Sequence, residues 1–137
     1  MYETDTSPIA YDGLSSLVSF PKGTVRRDTG VLLCRPWGRD EVCCRKFYRT
    51  LADALAASGY PVLRFDYPGT VDSLDPDETD GLDEWMQAAG KSADVLKDIS
   101  GCETVVVFGL GLGAVVAHEL AGKRQDLSGA IIAAPVI

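Results

Sequence analysis

The chain has 137 residues, 13 basic and 20 acidic, for a formal charge of −7 with its single histidine neutral. At 46% apolar and 24% charged the composition is that of an ordinary globular domain, which excludes a disordered or fibrous chain. The acidic balance argues against a nucleic-acid partner, since phosphate backbones need a concentrated basic face and the short run Lys22, Arg26, Arg27 does not supply one.

No apolar run approaches the roughly 20 residues that cross a bilayer, and the polar start MYETDTSPIAYDG lacks the basic and apolar regions of a signal peptide. No membrane role and a cytoplasmic setting are therefore expected. Cys34, Cys43, Cys44 and Cys102 form no C-x-x-C pair, and His118 stands alone, so zinc-ligand spacing is missing. Reduced thiols, no metal and no cofactor are the expectation.

Residues 1–13 read as a polar arm preceding one domain over 14–137. Leu14 to Phe20 is a short strand, Pro21-Lys22-Gly23 a turn, and Thr24 to Arg27 a return strand, giving an amino-terminal β-hairpin. Val31-Leu32-Leu33-Cys34, between Gly30 and Pro36, has the continuous apolar character of a strand buried on both faces. Asp40 is placed to cap a helix over 41–58. Its apolar positions are Cys44, Phe47, Tyr48, Leu51, Ala52 and Leu55, with Arg45, Arg49 and Asp53 opposite and Gly59 closing it. A strand follows over 61–66, then an acidic loop from Asp72 to Asp80, and a helix from Leu82 to Ile99 with Trp85 and Met86 on its core side. Thr104 to Phe108 is a strand, residues 109–113 a glycine turn, Ala114 to Lys123 a helix, and Gly129 to Val136 a last strand. Buried-type strands alternating with amphipathic helices predict an α/β fold, a mostly parallel sheet with helices on both faces.

The chemistry-bearing stretch is Val105-Val106-Val107-Phe108-Gly109-Leu110-Gly111-Leu112-Gly113-Ala114, a strand running through a tight turn into a helix. Gly109 and Gly113 stand at the outer positions of the G-x-S-x-G nucleophile elbow, in which small flanking residues let strand and helix approach while a strained central residue presents the nucleophile. The central position here is Gly111, which carries none. The same residues satisfy a permissive dinucleotide fingerprint, Gly109-x-Gly111-x-x-Ala114. That motif expects a carboxylate at the end of the next strand, where Ala130-Ile131-Ile132-Ala133-Ala134 offers none and Asp126 comes too early.

Several segments taken in order resemble the amino-terminal half of an α/β-hydrolase. They are Cys34-Arg35-Pro36-Trp37-Gly38, Phe47-Tyr48-Arg49-x-Leu51-Ala52, Leu63-Arg64-Phe65-Asp66-Tyr67-Pro68-Gly69-Thr70, Asp72-Ser73 and Gly109 to Ala114. The likeness is to a bacterial branch related to the exosortase-associated and serine aminopeptidase-like hydrolases, and it implies an acyl hydrolase acting on a small-molecule ester or amide. Two departures stand out. Val71 occupies the second glycine position of a D-x-x-G-x-G-x-S pattern, and Gly111 replaces the nucleophilic serine. Triad acid and histidine would follow the elbow in chain order, and His118 lies too far along the elbow helix to act as the base. Covalent catalysis is therefore not expected of these 137 residues.

The resemblance further implies a backbone oxyanion hole, with the N–H of Leu112 as one donor. Trp37 or Gly38 supplies the other, because Pro36 has no N–H. Trp37 reads equally as a pocket wall or as packing. Asp66 reads as a brace for the loop that follows it, and Asp72, Asp75, Asp77, Glu78 and Asp80 as a solvated loop rather than a calcium site. The apolar last strand would have a neighbour in a whole hydrolase, so association through that edge, including as a homodimer, is expected. A non-catalytic relative that binds a ligand or protein, and a dinucleotide-binding fragment, are the alternatives.

Overall fold

Alternation within the strands sets the architecture of this protein. The computed structural model describes residues 4–22, 26–35, 39–66 and 82–133. In chain order the elements are β1 (Thr4–Tyr11), β2 (Leu14–Pro21), β3 (Thr29–Cys34), α1 (Arg39–Ala57), β4 (Val62–Phe65), α2 (Leu82–Ser100), β5 (Thr104–Leu110), α3 (Leu112–Lys123) and β6 (Leu127–Ala133). They build one six-stranded sheet in the order β1-β2-β4-β3-β5-β6. β4, β3, β5 and β6 are mutually parallel, while β2 runs antiparallel to both β1 and β4.

Successive strand residues point to opposite sheet faces, and the core divides accordingly. Leu32, Cys34, Leu63, Phe65, Val105 and Val107 meet Met86, Ala89, Ala93 and Leu96 of α2 and Val116, Ala117 and Leu120 of α3. Val31, Leu33 and Val62 instead meet Tyr48 and Ala52 of α1, with Phe108 and Leu110 half-buried beside them. The parallel α/β sheet with helices on both faces thus forms as the periodicities predict, and Met86 with half-buried Trp85 lies in the core as read. Among the described residues no helix is long and apolar enough to cross a membrane.

The amino terminus needs correction. Thr4–Tyr11 is not an arm but a strand, paired with β2 from Thr4↔Pro21 to Tyr11↔Leu14. The hairpin therefore exists one strand earlier than read. It turns at Asp12 (φ 49°) and Gly13 (φ 78°), two successive positive φ values of the kind that match strand twist in two-residue hairpins. Residues 26–27 belong to no strand, and 23–25 lie outside the described residues. The helix over 41–58 begins at Arg39, so Asp40 lies in its first turn instead of ahead of it.

The hairpin is fastened by side chains as well as by its ladder. Tyr11 Oη lies 2.6 Å from Ser92 Oγ on α2 and accepts from Ser16 Oγ at 2.9 Å. Burial raises the Tyr11 phenol above its ordinary pKa. At the far side of the sheet the Arg124 guanidinium donates to both carboxylate oxygens of Asp126 (2.9 and 2.6 Å), to Gly90 O (2.9 Å) and to Asp94 Oδ1 (2.7 Å). This clamp joins the α3–β6 connection to α2.

Candidate functional site

β5 passes into α3 through a single residue, Gly111. Its backbone sits at φ 63°, ψ −128°, a combination that would cost an L-residue about 1–3 kcal/mol. Gly111 is the N-cap of α3 and offers no side-chain cap. The Ala114 N–H closes the turn on Gly111 O at 3.0 Å. The first N–H groups of a helix, here including that of Leu112, have no acceptor within the helix, and no acidic residue occupies this first turn. The positive end of α3 is therefore presented at the carboxyl-terminal rim of a central parallel strand.

The two flanking glycines are required for space. A Cβ on Gly109 would run into the Gly113 carbonyl and lie 2.7 Å from Ala114 Cα. A Cβ on Gly113 would collide with the carbonyl oxygen of Cys34 and lie 2.6 Å from that of Arg35. Gly113 thus brings the start of α3 against the end of β3 at Cys34 and Arg35.

Two side chains fix that rim, and the role of the first was not visible in the helical spacing. Tyr48, a core position by helical spacing, donates its hydroxyl to Cys34 O at 2.7 Å, and its ring meets that of Phe108 on β5 edge-on at 5.7 Å. It ties the ends of β3 and β5 together from the α1 side. Burial drives its phenol well above the ordinary range, so it remains a neutral donor. Asp66, at the end of β4, is gripped by Arg35, whose Nη1 lies 2.5 Å from its Oδ1 with both side chains nearly buried, while the loop it was expected to brace lies outside the described residues. The signal was present as two opposite charges at the ends of adjacent parallel strands, but only the strand order reveals the adjacency.

Of the residues singled out from sequence, Gly109, Gly111, Leu112 and Gly113 come together in this turn. Trp37 and Gly38 lie outside the described residues, as do Val71, Ser73 and the acidic cluster Asp72, Asp75, Asp77, Glu78 and Asp80. His118 is exposed on α3, 3.9 Å from Glu119. Asp126 precedes β6 and is engaged by Arg124 and by Lys97 Nζ (3.0 Å). Those bonds hold its pKa far below the usual carboxylate value, and they remove it as the ribose ligand of a dinucleotide site.

A family model described as Serine aminopeptidase, S33 matches residues 38–137. Esterase EstD of Thermotoga maritima is 28% identical over 130 residues, covering 93% of this chain and 31% of that protein. An α/β serine hydrolase homologue from Coxiella burnetii superposes with a TM-score of 0.74 at 19% identity, covering 93% of this chain and 61% of its own. A lidless α/β serine hydrolase from Xanthomonas campestris gives 0.75 at 19% identity, with 95% and 60% covered. The chain therefore spans less than a third of the curated relative and about 60% of these solved structures. At such identities the structural likeness speaks for the fold.

Proposed function

Because the chain belongs to the serine aminopeptidase S33 family of hydrolases, we propose that its glycine turn is the nucleophile elbow of an acyl-hydrolase fold with Gly111 in the nucleophile's seat. In this reading the site receives the carbonyl or carboxylate of a small acyl compound without attacking it. The observation that carries it is the conformation of Gly111, φ 63° and ψ −128°, between a central strand and the uncapped start of α3. That geometry suits a residue displayed above the sheet edge, yet glycine has no atom with which to form an acyl-enzyme.

The chemistry left to such a seat is electrostatic. The Leu112 N–H and the α3 dipole stabilise an oxyanion, with Trp37 or Gly38 as the second backbone donor. Oxyanion stabilisation and binding alone leave about 10³–10⁴-fold acceleration over water when a triad is removed, so any turnover is slow and proceeds without a covalent intermediate. Cys102, a buried thiol, fits a reducing, cytoplasmic setting. At the last strand, Ile131 and Ile132 are 55% and 39% exposed, which favours association through that edge. Concentration-dependent sedimentation tests the latter.

The central test combines p-nitrophenyl acetate hydrolysis, labelling with a fluorophosphonate, and amide NMR during an acetate titration. Expected are no burst of p-nitrophenolate, no label, and saturable shifts of the Leu112 and Gly113 amides. A stoichiometric burst or a labelled elbow peptide overturns the non-covalent reading, and unmoved amides overturn the acyl-binding one. NADH should leave the protein's fluorescence unchanged.

A further inference from the structure

A cationic cavity opens on the α1 face of the sheet. Its volume is about 350 Å³, and it is lined by Leu17 of β2, Arg35 after β3, Arg64 of β4, and Arg45, Lys46 and Arg49 of α1. Five cations thus surround one cavity in a chain whose net charge is −7.

Arg64 is the informative member. It is only 5% exposed, and its Nε has no hydrogen-bond partner among the described residues. Burial and then the neighbouring Arg35 weaken its hold on the proton, with Arg49 adding to the effect, while Asp53 and Asp66 counter them only in part. Asp66 is already gripped by Arg35, and Asp53 accepts from Thr4 Oγ1 at 3.4 Å. Burying a guanidinium with an unmet donor is unfavourable unless acceptors are supplied, and the planar donor fork of arginine pairs bidentately with carboxylate and phosphate oxygens.

We propose that this cavity is a binding site for a compact phosphate-type anion, a phosphate monoester or diphosphate group of a small molecule, held by Arg64 and Arg49 with Lys46 at its edge. The cavity has the size of a small-molecule pocket. Its link to the glycine turn is Arg35, whose side chain lines the cavity while its carbonyl abuts Gly113. The site stands on its own observations and does not require the acyl-binding reading.

The test is a calorimetric titration of the 137-residue chain with inorganic phosphate and with pyrophosphate, against sodium chloride at matched ionic strength. Expected is saturable one-site binding, with pyrophosphate tighter by about tenfold because it offers more acceptor oxygens to the same donors. Arg49→Gln, a change on the exposed surface of α1, and Arg64→Met should each weaken it by about tenfold or more. Heat reproduced by sodium chloride, an unsaturable signal, or affinity unchanged in both variants overturns the proposal.

Discussion

The two faces of the sheet are finished to different degrees. On the α2/α3 face, Val105, Val107, Leu96 and Val116 are fully buried, and the Arg124 guanidinium satisfies its donors on Asp126, Gly90 and Asp94. On the α1 face, Phe47 is half exposed although it stacks near Phe108 at 6.2 Å. The alternate residues of β5 are only half-buried there, and Arg64 is buried with a donor unmet. The first face is closed mainly by apolar burial and the Arg124 ion pairs, although Glu84 Oε2 of α2 is also buried without a hydrogen-bond partner among the described residues. The second keeps half-exposed aromatics and a buried arginine. The glycine turn sits between them, fastened to α3 on the first side and to Tyr48 on the second.

The comparison is broken most severely at the contact that joins the faces. Gly113→Ala places a methyl group into the Cys34 carbonyl and close to that of Arg35, and because backbone cannot yield as a side chain does, a loss of about 3 kcal/mol in urea denaturation is expected. Next comes a matched pair of truncations. Leu96→Ala, on the closed face, should cost about 2–5 kcal/mol. Phe47→Ala, on the open face, should cost about 1 kcal/mol or less, because much of its ring already meets water. Equal costs would refute the asymmetry.

A smaller effect sharpens the comparison through pH. Asp126 is held ionised in the folded chain by Arg124 and Lys97, so its folded pKa lies below the unfolded one. The stability it contributes is complete above the unfolded value of about 4 and is lost as pH falls below it toward the folded value. Asp126→Asn should cost about 1–3 kcal/mol at neutral pH and flatten the acid limb of the stability curve between about pH 4 and pH 2. Smallest is Tyr48→Phe, which removes the hydroxyl from Cys34 O and should cost about 1 kcal/mol. The raised phenol pKa means the native protein is destabilised above about pH 10 as the unfolded chain ionises, and this variant should lose that part of the alkaline limb.

What was legible in the sequence is what depends on local period and spacing. The apolar runs of β3 and β5, the i, i+3, i+4 pattern of α1 and the glycines at 109, 111 and 113 each carry their meaning within about a dozen residues, and they located the turn. β1 was illegible because Thr4–Tyr11 is an edge strand exposed along most of its length, so it shows no apolar alternation and is made a strand by β2. The Asp12-Gly13 turn was the available signal for it. The cavity was illegible for a different reason. Leu17, Arg35, Arg49 and Arg64 come from four segments, and helical spacing placed Arg45 and Arg49 opposite the core without showing what they border. Tyr48 was read by its ring, while its role at the rim belongs to its hydroxyl.

The glycine turn depends on the backbone at residue 111, and two alanine substitutions in the same region test this most directly. Gly111→Ala forces an L-residue to φ 63°, ψ −128°, whereas Gly122→Ala places a methyl group in open space within α3. Urea denaturation should show Gly111→Ala destabilised by about 1–3 kcal/mol and Gly122→Ala stabilised by about 0.5 kcal/mol. A Gly111→Ala variant as stable as Gly122→Ala would mean that the turn is unstrained, and it would contradict the proposed nucleophile seat.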